Sequence, residues 1–157
     1  MVGSSNRILL QRTSPVLTSS GSSGLAGGIK YSFNTTVGGN TGNGQLRLNN
    51  ADAENATQVI INNEDALTNA QEAYLGTWDD AGFTDNRGYL VITSAEGGAG
   101  FATFIIKSIA STANNQHTFS VTYIAATNGG TGNPPFSNDA KVNIQFSATG
   151  EAGSSGS

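Results

Sequence analysis

The sequence predicts an all-β protein, an antiparallel β-sandwich of about seven or eight strands with one short helix near residues 64–75. Three observations predict it. Apolar and polar residues alternate with period two in short runs along most of the chain, as half-buried strands require. The runs are separated by clusters of glycine, asparagine and proline, which turn a chain rather than extend it. Only one stretch carries a helical stripe, so no strand–helix–strand alternation exists to build a parallel sheet.

The first strand reads from Ile29, where Ile29, Tyr31 and Phe33 alternate with Lys30, Ser32 and Asn34. The Gly38–Gly44 stretch, rich in glycine and asparagine, is a loop that tolerates positive φ. A second strand follows at Gln45–Asn49, and Gln58–Asn62 is a short apolar run of the strand kind. The helix comes next: Asn63 is placed to cap it and Glu64 and Asp65 suit its positive end. Leu67, Ala70, Tyr74 and Leu75 fall on one face at 3.6 spacing, and Gly76 is placed to close it in the left-handed conformation. Gly88–Ser94 and Phe101–Lys107, joined by a Gly-rich connection, read as a hairpin. After a turn at Asn114-Asn115-Gln116, His117–Ile124 alternates with Phe119, Val121 and Tyr123 on one face. A Pro/Gly/Asn loop covers 127–140, and Lys141–Ser147 ends the series with Val142, Ile144 and Phe146 inward.

The margins carry a different rhythm. Gly21, Gly24 and Gly27 precede the first strand, and Gly150, Gly153 and Gly156 follow the last. Glycine at every third position is what the crowded axis of a three-chain polyproline-type helix demands. The same residues also read as plain Gly/Ser linker or an engineered spacer. Residues 1–20 contain one apolar burst, Ile8-Leu9-Leu10, ended by Pro15. Too short to bury itself, the burst has two readings: a strand on this domain's own sheet, or an anchoring segment that adds to a neighbouring protein. The chain therefore divides into an N-terminal anchoring segment (1–20), a glycine-rich linker (21–28), a β module (29–149) and a glycine-rich tail (150–157).

Composition narrows the function classes. Charged residues make up 11% of the 157, against roughly a quarter in ordinary soluble domains, and there are 21 glycines. Asn, Ser and Thr number 17 each, so the polar surface is built from uncharged groups suited to a rigid extracellular object. A net charge of −4 with seven scattered basic residues offers no stripe for nucleic acid and nothing for anionic lipid. Cysteine is absent, which removes disulfides, thiolate chemistry and Cys-based zinc sites. No apolar core follows Met1 as in a secretory signal, and no run is long enough for a membrane helix. A particle assembled in a cytoplasm and released by lysis, as virions are, reconciles these features.

The stretches Gly28–Phe33, Gly44–Asn50, Leu75–Asp80, Gly88–Ile92, Thr118–Tyr123 and Ile144–Gly150 resemble a β module of bacteriophage tail-fibre and other virion-fibre proteins. The most specific piece is Leu46-Arg47-Leu48-Asn49-Asn50 followed some thirty residues later by Trp78-Asp79-Asp80. In that family the module adjoins collagen-like Gly-X-Y tracts, and Asn6–Ser14 looks like the start of many phage fibre chains. The resemblance covers residues 28–150 and implies a structural protein of the virion, a homotrimer with no catalytic motif and no cofactor. Its partners would be itself and the capsid, portal or tail proteins, with Ile8, Leu9 and Leu10 binding the virion or bracing the trimer. A capsid decoration or cement protein is the alternative, and a carbohydrate-binding module for host-surface glycans the next.

Other candidates weigh less. His117 is the only histidine and has no recognisable nucleophile near it, so it reads as a surface or strand-end residue. Asp79, Asp80 and Asp85 fit no calcium loop and read as a solvated turn, with Trp78 packing over the core. Tyr31, Tyr74, Tyr89, Tyr123 and Trp78 could stack on sugars, but on alternating strands core packing is the default.

Overall fold

The structure, a computed structural model, describes residues 28–80 and 82–149. Ile8, Leu9, Leu10, Gly21, Gly24, Gly27, Gly150, Gly153 and Gly156, and with them the anchoring and collagen-like assignments, lie outside the described residues. The all-β class holds. Seven strands form: β1 (Ile29–Phe33), β2 (Gln45–Leu48), β3 (Gln58–Asn62), β4 (Gly88–Ser94), β5 (Phe101–Ser111), β6 (Gln116–Ala126) and β7 (Lys141–Ala148).

The strands close on themselves in the order β1-β2-β3-β6-β5-β4-β7, so the expected two-sheet sandwich gives way to a closed barrel. Closure rests on β1, which pairs antiparallel with β7 (Ile29 opposite Ile144) and parallel with β2 (Phe33 opposite Leu46). That one parallel pair is possible because the Gly/Asn-rich stretch 34–44 carries the chain back along the barrel. Every other pair is antiparallel. The long β5–β6 ribbon slips register in three places, which bends it around the barrel.

The period-two residues fill the interior. Tyr31, Leu46, Val59, Ile61, Leu90, Ile92, Phe104, Ile106, Phe119, Val142 and Ile144 are all buried. A seven-strand barrel is narrow enough for such side chains to fill it. The strands bring the start of β1 and the end of β7 to one pole, which the 63–87 connection between β3 and β4 plugs. At the opposite pole the short 3-10 helix Ala53–Asn55 and Phe136 close the core. There Asp52 accepts backbone bonds from Glu54, Gly130 (2.8 Å) and Gly132 (2.9 Å), pinning the 127–140 loop. These donors, the Gly130 amide foremost, hold its carboxyl below the usual range.

The helix expected over 64–75 is a single turn, α1 (Glu72–Leu75). The reason lies in Asp65, whose carboxylate accepts from the backbone of Leu67 (2.8 Å) and Asn69 (2.9 Å) and from Gln71 Nε2. Such local bonds stabilise a turn in competition with a helix, and Thr68 adopts φ of +66° within it. Leu67 and Ala70 consequently face solvent instead of forming a stripe. Asn63 does not cap the turn; its side chain bonds Asn115 and His117. Gly76 remains right-handed at φ −67°, so it is no left-handed terminator.

Candidate functional site: a plugged barrel pole

At the plugged pole Trp78 enters the barrel mouth and is fully buried. Its ring stacks between Phe119 (4.9 Å between centroids) and Phe146 (4.8 Å), with Tyr74 edge-on at 5.6 Å. Beside this stack runs a belt of buried polar side chains. Tyr31 donates to Asn62 O at 2.8 Å, and burial, with the Asp65 charge nearby, pushes its hydroxyl pKa up. The Thr41 backbone and hydroxyl both donate to Gln116 Oε1, and Asn62 Nδ2 donates to Thr41 Oγ1. His117, the second residue of β6, is buried and not a surface residue; its Nδ1 lies 2.7 Å from Asn63 Oδ1. Burial lowers its pKa, opposed by Glu72 and Asp79. These partners satisfy one another, so the belt orders the loops of the plug.

The strand edge at this pole is different. β1 begins at Ile29, opposite Ile144, whereas β7 runs on to Ala148, paired with Gly88 of β4. Gly28 has φ of +82°, and a Cβ there would stand 2.8 Å from Ile144 O. Glycine adopts this left-handed φ without strain. Among the described residues β7 beyond Ile144 pairs with β4 alone; the positions that would face Phe146 and Ala148 in the β1–β7 register lie outside the described residues. Alternation fixes which way the backbone groups face. Lys141 O and Thr149 N–H bond on the β4 side and Ala140 O on the β1 side, so Phe146 and Ala148 aim their N–H and C=O at the β1 side. A groove of about 450 Å³ lies against this edge, lined by Gly28, Ile29, Tyr74, Ile144, Gln145, Phe146 and Ser147. Ile29, Ile144, Phe146 and Tyr74 give it an apolar wall.

The remaining candidates are dispersed. Asp79 is half-buried and Asp80 and Asp85 are exposed, and among the described residues no three His, Cys, Asp or Glu converge to hold a metal ion. Trp78 and Tyr31 belong to the core, and Tyr74 and Tyr123 are half-buried. Tyr89, 41% exposed, is the one among these aromatics that faces solvent. It stands on the outer face with Val91, Phe101 and Ile105 of β4 and β5. The Thr41–Asn62–Gln116 belt was not foreseen from the sequence. Compared with protein-family models, curated proteins and solved structures, the chain finds no match.

Proposed function

We propose that this chain is a structural virion protein of a bacteriophage, a homotrimeric module of a tail fibre or head fibre attached to the particle by its N-terminal segment. One observation carries the reading: glycine triplets flank a barrel whose two described ends, Gly28 and Thr149, lie at the same pole. Triplets of this kind suit a three-chain bundle. With both tracts leaving from one pole, the barrel stands out from a shaft as a head instead of sitting threaded along it. The exposed apolar side chains of Tyr89 and Phe101, with Ile105 beside them, suit contact between copies.

Light scattering on the purified full chain tests this at micromolar concentration. The expected mass is that of three chains, and a stable monomer would sink the reading. The same pole geometry also suits a capsid decoration protein, whose barrel would project from the shell. Antibody labelling of intact particles by electron microscopy separates the two, by fibres or shell surface. On the decoration reading, deleting residues 1–20 abolishes capsid binding while the barrel stays folded.

A further inference from the structure

We propose that His117 is a pH-sensitive latch of the plug: uptake of a proton at its Nε2 loosens α1 and Trp78 from the barrel mouth while the strand ladder stays paired. The inference goes beyond the fibre reading and stands whether or not that reading does.

Three observations carry it. The tautomer is fixed: Asn63 turns its Nδ2 toward Asn115 and its Oδ1 toward His117, 2.7 Å from Nδ1. A carbonyl oxygen only accepts, so Nδ1 carries the proton of the neutral ring and Nε2 is the atom that takes up a second one. Nε2 lies against the plug, 3.7 Å from where a Cβ on Gly76 would stand. The ring is 3% exposed and stacks on Phe119, so a charge placed there is desolvated. The bonds of His117 also run into the plug. Asn63 O accepts from the amide of Gln71 (2.7 Å), Gln71 O from that of Leu75 (2.9 Å), and Leu75 O from that of Trp78 (3.2 Å). Finally, α1 is a single turn, which does not hold its shape alone, whereas every strand has two neighbours in the closed ring. A segment of this kind opens before the sheet does.

The surrounding charges set the direction. Burial disfavours the imidazolium, and Glu72 of α1 and Asp79 beyond it oppose that by attraction without cancelling it. Tyr31 and Asp65 share the pole, and Glu64 lines a polar pocket there with Asn63, Glu72 and Asn115. β3 and the 112–115 turn, which flank His117, bring no charged side chain. Lys107 of β5 alternates with the buried Ile106 and lies on the outer side. The closed plug therefore holds the neutral ring, and the proton binds more readily once the plug is out. Acid below the ordinary histidine value of ~6.5 then raises the population of the open form. That form stays a minor one, because Leu75 and Trp78 have to leave the core.

Hydrogen exchange by NMR on the full chain at pH 7.5 and 5.5, corrected for the intrinsic rate, tests the latch. The Leu75, Gly76 and Trp78 amides bond within the plug and are expected to be less protected than Ile92 at both pH values. At the lower pH they are expected to lose roughly threefold in protection, while Ala56 and Thr131 at the opposite pole keep theirs. Plug amides as protected as Ile92 would mean that the plug leaves only with the whole barrel, and that overturns the proposal. Plug protection that does not change with pH overturns it as well. His117→Gln cannot take a charge and is expected to abolish the acid-induced loss. Asn63→Asp keeps an acceptor at Nδ1 and sets a carboxylate beside the ring, which favours the imidazolium, so the loss is expected to vanish there too. A loss in either variant as large as in the unaltered chain assigns the effect to another group and refutes the latch.

Discussion

Replacing Trp78 with alanine tests whether the plug is an integral part of the core. The side chain is fully buried and contacts three rings: Phe119 at 4.9 Å, Phe146 at 4.8 Å and Tyr74 at 5.6 Å. Truncating a buried aromatic costs about 3–5 kcal/mol, and the lost ring pairs put this site toward the upper end. A domain of this length is stabilised by roughly 6–18 kcal/mol in total. With unfolding entropy near ~2.1 cal/mol/K per residue over about 120 residues, a loss of ~4 kcal/mol lowers Tm by roughly 16 °C. Far-ultraviolet circular dichroism on heating reads the shift, and Trp78→Phe, which keeps one ring in the stack, shows a smaller one. A drop under about 4 °C for the alanine variant would refute the reasoning. It would mean that the 63–87 connection lies loosely over a barrel that is stable without it, and Trp78 would again be available as a surface group for sugar.

Three further expectations follow from particular contacts. His117 is held neutral by burial, so its folded pKa lies below the ordinary ~6.5 and the native state binds fewer protons than the unfolded one. Its contribution is complete above about pH 6.5 and is lost as pH falls from there through the lowered folded value; urea midpoints at pH 7.5 and 5 show the loss, and His117→Gln should flatten it. At Gly88 an added Cβ would overlap Ser147 O and come within 2.6 Å of the Phe146 ring, so Gly88→Ala should cost about 1–3 kcal/mol in denaturant unfolding. Wild-type stability in that variant would show that β4 and β7 pack less closely than described. Gly24→Val with Gly153→Val should reduce a trimer to monomers in light scattering while the barrel's Tm holds, because no other residue fits the axis of a three-chain helix; an intact trimer would place the contact elsewhere.

The strands were legible because each has one face inside and one outside. Ile29, Tyr31 and Phe33 could be assigned from alternation alone, and the same holds for Val142 and Ile144. How the strands close was not legible, since a sandwich and a barrel impose the same inward alternation. Closure depends on β1 finding β2 alongside it in parallel, a long-range pairing that leaves no local mark. The helix was over-read for a local reason. Its spacing matched 3.6, yet Asp65 bonds the amides of Leu67 and Asn69, and that turn wins over a stripe whose Leu67 has nothing to bury against.

A closed barrel gives every strand two neighbours, but the pairing here is uneven along the strands. β5 pairs with β4 only over Phe101–Ile106, β6 with β3 only over Gln116–Ser120, and β1 with β2 only at Ser32 and Phe33. The β1–β7 contact that completes the ring is likewise short, four residue pairs from Ile29 opposite Ile144 to Ser32 opposite Lys141. Gly28→Ala tests how closely it is made, since the left-handed φ and the 2.8 Å approach to Ile144 O both disfavour a side chain there. The substitution is expected to cost about 1–3 kcal/mol in denaturant unfolding. Unchanged stability would show that β1 enters the barrel less tightly against β7 than this geometry requires.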